Sequence, residues 1–527
     1  MTESPGSATT RIASRTTTHL QLALLAAVTL GTRLFAIWKT EILILGWRPV
    51  DLASIALNYY RNGLDLLYPQ IFWGGAGPGF VEMELPLIPF LTALLYRVFG
   101  LHDGVTLIIP LLSGIGVVFV TYAIARYLYG STVGLMAGVF VALSPTMIGL
   151  TVSLWPDPPM IFCGGLGIYF LLRWVDSNRL RDFVLGACAA SVSILLKITA
   201  LYIGLPILFL CIYKYRRAWW RTPLVWWLGA IILVPPGLWY WHAHSLYVNY
   251  HNTFGIVSAG YLKFATAGIL SDPAFYGHVS FRLAMYHVGP LAFVALLYGF
   301  FLRQPNGLGY VFHIWIGAVV LYLLVAARGV LIGHYQYMLP IVPAAAPLAA
   351  FASVSIFRRF SPVLSLRTTR PVTRLLAGAG WIVLLVTFLG ANLLYASQGI
   401  YSIAYWENDR KTGLVVGQKT PSGSLIIVVD NQMDEYTPER SMTPPHVFYF
   451  ADRKGWYQSM AWLNPQLVES MRKDGAKYLV VTGNALANFN SPATEIREYL
   501  SAHFGTVFNT ADGTIYDLNT RQAQSEH

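Results

Sequence analysis

The chain has 527 residues, of which 55% are hydrophobic and only 12% are charged, whereas roughly a quarter of the residues in an ordinary soluble domain carry a charge. This composition excludes an ordinary cytosolic enzyme. Residues 1–395 contain 25 Lys/Arg and 11 Asp/Glu, while residues 396–527 contain 11 and 14, so the two parts face different surroundings. The basic residues lie in short clusters between apolar runs, which is typical of cytoplasmic loops and not of nucleic-acid binding.

Eleven apolar runs predict membrane spans, because about 20 apolar residues cross roughly 30 Å of hydrocarbon. The first run follows a Ser/Thr-rich leader, residues 1–19, without a small-residue cleavage site, and it is too long for the apolar core of a signal peptide. It is therefore expected to remain as an anchor. The eleven runs cover residues 20–38, 105–127, 133–151, 158–174, 183–193, 198–213, 224–241, 288–302, 311–327, 335–357 and 375–395.

A twelfth apolar run, residues 86–100, has about 15 residues and suits a helix that lies at the membrane interface. With eleven spans and a cytoplasmic N-terminus, 16 of the 25 basic residues before position 396 fall on the cytoplasmic side. A twelfth span would move all of these outside except those in the leader, so the positive-inside rule favours eleven. This topology predicts that two loops, 39–104 and 242–287, and the tail from residue 396 lie outside.

The tail, residues 396–527, is predicted to be a small extracytoplasmic α/β module, and residues 20–395 a membrane domain. Its β-rich runs are 424–430, 477–482 and 514–518, and two helices, 465–474 and 492–503, each open with proline. The tail shows no phosphate loop, metal-ligand cluster or nucleophile elbow. The chain also lacks the inverted repeat that many transporters show, which disfavours transport.

Acidic residues are scarce in the membrane part, so those outside the cytoplasmic loops are candidate site residues. Asp51 opens a stretch whose apolar residues follow the spacing of an amphipathic helix, and Gly63 supplies the C-terminal stop. A helix on the outer membrane surface follows, with Asp51 as its N-cap. There the free amides and the helix dipole would keep the carboxylate ionised. The alternative is that Asp51 is only a cap.

Two further acids are predicted to lie on the same outer face. Glu84 follows a Gly-rich turn, residues 74–79, and precedes Pro86 at the start of the interfacial helix. Asp157 precedes the span that begins at Pro158. Their common face, with aromatic residues nearby, indicates a shared catalytic site with Asp51, although three independent helix caps would also explain them.

Cationic candidates are expected at the same outer level. Lys197 lies in a tight connection between two apolar runs, where a charge facing lipid costs several kcal/mol, so a functional role is favoured over an anchor. Arg328, His334 and Tyr337 cluster in the segment RGVLIGHYQYMLPIVP; for Arg328 alone, snorkelling to the interface is the favoured alternative.

Neither a disulfide framework nor a metal site follows from spacing. The three cysteines lie inside apolar runs, where no oxidising partner is at hand. Five histidines of the second outer loop have no metal-ligand spacing with a nearby acid, and solvated or interfacial roles are favoured for them. The residues are Cys163, Cys188, Cys211, His242, His244, His251, His278 and His287.

The order of these features resembles the C-type glycosyltransferase superfamily. The resemblance is greatest to the bacterial branch related to protein O-mannosyltransferases and lipid A aminoarabinose transferases. It covers residues 20–357. It rests on the long first span, the outer-loop Asp51 with its aromatic helix, the Gly-rich turn, the ELPL stretch (84–87), the Pro-Asp dipeptide (156–157), Lys197 in its outer hairpin, and HYQYMLPIVP (334–343).

The resemblance implies a mostly helical, polytopic membrane fold and transfer of a sugar from a polyprenyl-phosphate donor on the outer face. The acceptor would be a glycan, a lipid or a protein. Asp51 matches the loop acid assigned as catalytic, and Glu84 and Asp157 match the acids of the family's E-x-P-L-like stretch and second outer loop. Leu52 stands where the mannosyltransferases carry a second acid, and no histidine matches the metal ligand of some relatives. A divalent metal ion therefore stays an open alternative.

The chemistry of such a transfer suits these residues. A sugar phosphodiester leaves as a stabilised phosphate anion, so the reaction needs a base for the acceptor and cations for the departing phosphate. The predicted roles are Asp51 as general base and Lys197 as phosphate ligand, with Arg328, His334 and Tyr337 assisting. The competing prediction is a multi-span transporter or flippase for a lipid-linked or small polar substrate, which would carry charges near the bilayer midplane and broken helices.

Overall fold

A computed structural model describes the fold of the chain. The described residues are 5–39, 46–258, 260–331, 333–360, 390, 403–430, 445–489 and 495–521.

The chain divides into two compact units. The first consists of Met1–Glu41, Leu107–Gly237 and Leu262–Tyr401. The second consists of Ile42–Thr106, Leu238–Tyr261 and Ser402–His527. Most of the predicted first outer loop and part of the second therefore belong to the same unit as the tail.

Helices make up most of the described part of the first unit, and helices with irregular segments between them make up the loop part of the second. Two pairs of consecutive helices are bent at the break between them, Ser131–Ala142 with Pro145–Thr151 by 64° and Pro273–His287 with Pro290–Phe301 by 114°. The helices before the tail are α1 (Pro5–Lys39), α2 (Trp47–Asn62), α3 (Leu87–Phe99), α4 (Ile108–Tyr129), α5 (Ser131–Ala142), α6 (Pro145–Thr151), α7 (Asp157–Ser177), α8 (Leu180–Leu196), α9 (Gly204–Tyr215), α10 (Pro223–Tyr250), α11 (Ala267–Ser271), α12 (Pro273–Arg282), α13 (Pro290–Phe301), α14 (Val311–Val325), α15 (Ala327–Leu331) and α16 (Val342–Phe360). Short 3₁₀ segments, among them Asp103–Leu107, Ile198–Ile203 and Tyr335–Ile341, and a π-helical turn, Leu283–His287, join them.

Among the described residues, seven helices are long and apolar enough to cross a membrane, or up to nine if each bent pair is one span. The chain is thus an integral multi-pass membrane protein, but the predicted count of eleven is not confirmed. The run 183–193 lies in α8, which has 17 residues, and the run 375–395 lies outside the described residues apart from Gly390. Helix α3, which covers the predicted interfacial run, has only 13 residues and is too short to span.

The tail contains one five-stranded sheet with strand order β2-β1-β3-β5-β4. Strands β1, β2 and β3 are parallel, and β5 pairs antiparallel with both β3 and β4. The apolar runs of β1 and β3 are buried because helices and loops cover this sheet on both faces. The strands are β1 (Leu425–Asp430), β2 (Lys454–Ser459), β3 (Ala476–Thr482), β4 (Phe504–Thr510) and β5 (Gly513–Arg521), and the helices are α17 (Ile403–Lys419), α18 (His446–Ala451), α19 (Pro465–Lys473), α20 (Leu486–Phe489) and α21 (Glu495–His503).

The predicted α/β tail is confirmed, with corrections. The three predicted strands correspond to β1, β3 and β5, while β2 and β4 were not expected. The predicted helix 465–474 corresponds to α19. The predicted helix 492–503 begins later, at Glu495, and its first residues lie outside the described part of the chain.

Helix α2 begins earlier than predicted. It starts at Trp47 with Gly46 as its N-cap, so the prediction that Asp51 caps this helix is wrong: Asp51 lies inside the second turn. Gly63 ends the helix with a positive φ of 114°, as expected. Residues 49–56 are all buried, which a helix lying on a surface with one apolar face would not allow.

Candidate active site

Asp51 lies in α2 of the second unit and is 1% exposed. The Trp73 indole Nε1 donates a hydrogen bond to Asp51 Oδ1 at 3.1 Å. Burial raises the pKa of Asp51 to about 7, against the opposing effects of the Arg48 guanidinium and the Trp73 hydrogen bond. The prediction that a helix terminus keeps this carboxylate strongly ionised is therefore wrong. A carboxyl group with a pKa near neutrality can instead accept a proton from a substrate at working pH.

Glu84 and Asp51 both interact with the guanidinium group of Arg48. Arg48 Nη2 forms an ion pair with Glu84 Oε1, and the side chains are 17% and 4% exposed. The same guanidinium lies over the Phe254 ring, 4.3 Å from its centroid. Glu84 thus forms an ion pair and does not cap α3, whose N-cap is Pro86 and makes no side-chain cap bond.

Glu82, which the sequence analysis did not single out, joins the two loop segments of this unit. Its side chain accepts hydrogen bonds from Thr253 Oγ1 at 2.5 Å and from the amides of Val257 and Ser258 at 2.6 and 3.0 Å. Its backbone amide donates to Asn252 O, and its carbonyl accepts from the Phe254 amide, both at 3.0 Å. This network holds Phe254, whose ring meets Trp73 edge-on at 5.9 Å.

The Gly-rich turn fastens the Trp73 segment to the tail sheet. The Gly455 amide donates to Phe72 O at 3.0 Å, and the Gly75 amide donates to Gly455 O at 2.8 Å. Only glycine fits at two points of this contact. A Cβ on Gly79, whose φ is +73°, would lie 2.5 Å from Ile71 O, and a Cβ on Gly455 would lie 1.8 Å from Ile426 O. The tail therefore helps to hold the residue that hydrogen-bonds Asp51.

Asp157 and Lys197 come together in the first unit. Asp157 is the first residue of α7, and Lys197 is the extended residue that ends α8. The Lys197 ammonium donates to both carboxylate oxygens of Asp157, at 2.7 and 2.9 Å. The side chains are 12% and 2% exposed, so this is a nearly buried ion pair. The two contacts with the carboxylate fix the position of the ammonium.

The remaining predicted phosphate ligands lie around this pair. Lys197 Nζ is 5.4 Å from the centroid of the Tyr337 ring, and this ring stacks on His334 at 5.0 Å. Arg328 lies in α15, next to Gly329. A Cβ on Gly329 would lie 2.9 Å from Tyr337 Cε2 and 3.3 Å from the Cβ of Lys263. Lys263, a cation that the sequence analysis did not select, thus belongs to the same neighbourhood.

An apolar cavity of about 180 Å³ begins a few residues beyond Lys197. It lies in the first unit, between the Ile198–Ile203 segment with α9 on one side and α10 on the other. Its lining is entirely apolar, and the residues include Ile194, Leu201, Ile203, Ile207, Leu228 and Ile232. An apolar lining of this kind suits the apolar part of a ligand.

In the part of the chain that the structure describes, no group of three or more His, Cys, Asp or Glu side chains could hold a metal ion. Glu84 is already paired with Arg48. Three histidines of the second loop make other contacts: His242 lies 2.9 Å from Leu67 O, His244 Nδ1 lies 3.1 Å from Ser258 Oγ, and the His251 ring meets the Tyr247 ring edge-on. These residues do not fit the possible divalent ion, and no chemical step is assigned to one.

Comparison with known proteins supports the resemblance. The family described as dolichyl-phosphate-mannose-protein mannosyltransferase matches residues 83–241. A putative mannosyltransferase of Bacillus subtilis, YycA, is 26% identical over 166 residues, which are 31% of this chain and 22% of that protein. The chain therefore spans about a fifth of the length of that relative.

Solved structures match far more of the chain. ArnT from Cupriavidus metallidurans, bound to undecaprenyl phosphate, is 16% identical with a TM-score of 0.60, over 94% of this chain and 97% of that one. The oligosaccharyltransferase of Archaeoglobus fulgidus is 12% identical with a TM-score of 0.59, over 95% and 75%. The chain has the fold of the C-type membrane glycosyltransferases, and the resemblance predicted from its sequence is confirmed.

Proposed function

We propose that this protein transfers a sugar from a polyprenyl-phosphate-linked donor to an acceptor on the outer face of the membrane. The observation that carries the proposal is the buried Asp51 carboxyl group, which is 1% exposed and accepts a hydrogen bond from the Trp73 indole; burial raises its pKa to about 7. A group of this kind is costly to bury, and a role as a general base would account for its burial.

In the proposed reaction, an acceptor hydroxyl or amine attacks the anomeric carbon of the donor. Asp51 takes the acceptor's proton as the new bond forms, and the bond between the anomeric carbon and the phosphate oxygen breaks. The electron pair of that bond leaves with the polyprenyl phosphate. No oxidant, reductant or metal is needed for this balance, and a phosphate leaving group requires little general-acid help.

Lys197 is proposed to hold the donor phosphate. Its ammonium is kept in place by Asp157. The apolar cavity, whose lining includes Ile194 and Leu201 on either side of Lys197 in the sequence, would take part of the prenyl chain. Asp157 is then a positioning residue for Lys197, and Tyr337 and His334 supply the wall beside it. Arg328 remains proposed in an assisting role.

Turnover of defined donors tests the proposal. Purified protein is incubated with a panel of radiolabelled polyprenyl-phosphate sugars, and labelled product and released polyprenyl phosphate are measured. Asp51→Asn keeps the shape of the side chain and should reduce transfer by about 100-fold or more, the usual worth of a positioned base. Asp512→Asn, which changes an exposed carboxyl group in the tail, is the matched control. Transfer by Asp51→Asn within a few-fold of the control would remove Asp51 from this role.

The alternative, a transporter or flippase, has one observation in its favour, since broken helices are typical of transporters and two bent pairs are present. The same donor assay separates the two functions. A transporter would move the labelled donor across the membrane of proteoliposomes without breaking the sugar-phosphate bond. For the proposed orientation, alkaline phosphatase fused after the tail should be active.

A further inference from the structure

A second cavity, lined largely by polar side chains, lies in the second unit, at the C-terminal end of α2. Its volume is about 400 Å³, within the usual range of small-molecule sites. It does not include Asp51, Arg48 or Glu84. Its lining residues are Asn58, Tyr59, Asn62, Gly63, Asp65, Tyr68, Gln70 and Phe80.

One side of this cavity carries side-chain amides with spare hydrogen-bonding capacity. Asn58 Nδ2 donates to Gln70 O, and Asn62 Nδ2 donates to Gln70 Oε1, both at 2.7 Å. Each primary amide has two donor hydrogens and two acceptor lone pairs, so these bonds fix the amides while leaving the Asn58 and Asn62 oxygens and the Gln70 Nε2 hydrogens for a ligand. Asp65 Oδ1 accepts from the Leu67 amide at 3.1 Å, which leaves its other oxygen as an acceptor.

The other side of the cavity is aromatic. The Tyr68 and Phe80 rings lie 5.0 Å apart, and Tyr68 remains 38% exposed. Each ring is supported from behind, Phe80 by Tyr250 at 5.0 Å and Tyr68 by His242 at 5.6 Å. Aromatic side chains supply large apolar surfaces, and here part of that surface remains exposed.

We propose that this cavity binds a neutral saccharide and that it is an acceptor subsite of the enzyme. A sugar presents hydroxyl groups that both donate and accept hydrogen bonds, which the amides of Asn58, Asn62 and Gln70 match. It also presents an apolar C–H face, which Tyr68 and Phe80 match. A phosphate ligand does not fit, because the lining contains no cation and the neighbouring Arg61 is held by both oxygens of Asp452 at 2.6 and 3.1 Å.

The position of the cavity specifies the kind of acceptor, a step that rests on the proposed function. Asn58 and Asn62 lie 7 and 11 residues beyond Asp51 in the same helix, which is about 10 to 16 Å along its axis. A single sugar ring cannot span that separation. The acceptor is therefore an extended oligosaccharide, with its reacting end at Asp51 and a distal ring in the cavity.

Saccharide binding is tested on the full-length protein in lipid nanodiscs free of glycoside detergents, whose sugar head groups would compete. Saturation-transfer NMR is recorded with mannobiose, cellobiose and, separately, choline, because an aromatic pocket with a carboxylate also suits a quaternary ammonium ion. We expect transfer to the saccharide C–H protons. Tyr68→Ala and Asn62→Leu should each weaken binding by about tenfold or more, since both remove a direct contact with the ligand.

Tyr276→Ala is the control, because Tyr276 is a similarly exposed tyrosine of the first unit, at 45%, and it should bind as wild type does. The proposal would be overturned by any of three results. Neither disaccharide gives a signal, both cavity variants keep the signal with unchanged melting temperatures, or choline binds and the disaccharides do not. Saccharide binding does not require donor turnover. If wild type and Asp51→Asn both bind disaccharide but transfer fails with every donor, the cavity assignment stands and the proposed reaction falls.

Discussion

Replacing Trp73 with phenylalanine should shift the pH dependence of transfer towards alkaline pH. The substitution keeps most of the ring's packing against Phe254 and removes the hydrogen bond from the Trp73 indole to Asp51, 3.1 Å long. Hydrogen bonds to charged groups contribute roughly 1.5 to 3 kcal/mol, and this long bond belongs at the lower end. Because about 1.4 kcal/mol corresponds to one pH unit, the pKa of Asp51 should rise by about one pH unit.

The sign and size of the effect follow from the protonation state that a base requires. Asp51 must be ionised, so the rate falls as the pH drops through its pKa, which is about 7 in the wild type. The variant should lose roughly tenfold at pH 6 and roughly fivefold at pH 7, and it should recover above about pH 9. The assay is kcat/KM for donor turnover between pH 5.5 and 9.5, with Trp462→Phe, an exposed tryptophan of the tail, as the control. An acid limb that stays in place while the rate falls equally at every pH would refute the assignment of Asp51 as the base.

Two further substitutions test the other contacts. Lys197→Met combined with Asp157→Asn leaves no unpaired buried charge and should lower the apparent donor affinity by about tenfold or more. Asp157→Asn alone keeps the ammonium but loses the carboxylate that positions it, so its donor affinity should lie between those of the wild type and the double variant. In a donor titration, a double variant that binds donor as tightly as the wild type would make the ion pair purely structural. Gly79→Ala should lower the melting temperature and abolish transfer because its Cβ would lie 2.5 Å from Ile71 O at a φ of +73°. Gly77→Ala, whose Cβ would meet nothing closer than 3.9 Å, should be neutral, and a harmless Gly79→Ala would show that the turn tolerates rearrangement.

The sequence predicted those parts of the structure that depend on local chemistry. The end of α2 at Gly63 and the apolar strands β1 and β3 follow from a glycine stop and from continuous apolar runs. The start of α2 was predicted at Asp51 because acidic residues favour the N-cap position, whereas the helix begins at Trp47. Pro49, the third residue of the observed helix, was the better signal, since proline is tolerated in the first turn of a helix, where its missing N–H costs no hydrogen bond.

The contacts between distant segments could not be predicted in the same way. Arg48 pairs with Glu84, 36 positions away, and Lys197 pairs with Asp157, 40 positions away. No local pattern selects one partner among the other charges of the chain, because such pairs form only when the helices have packed. Strand β2 was not predicted for another reason. It is an edge strand whose sequence, KGWYQS, is polar and lacks the alternation of apolar and polar residues that identifies strands.

The bond between Gly75 and Gly455 has a consequence for the biogenesis of the protein. These residues are 380 positions apart, and their hydrogen bond joins the first loop to a segment that is translated much later. At about 5 to 20 residues per second, synthesis of the intervening chain takes roughly 20 to 75 s. During that interval the Trp73 segment of the ribosome-bound chain lacks its hydrogen bonds to strand β2. Completion of the candidate active site is therefore a late, post-insertion event, and translation arrested before β2 would release a membrane-inserted chain in which this loop lacks its support.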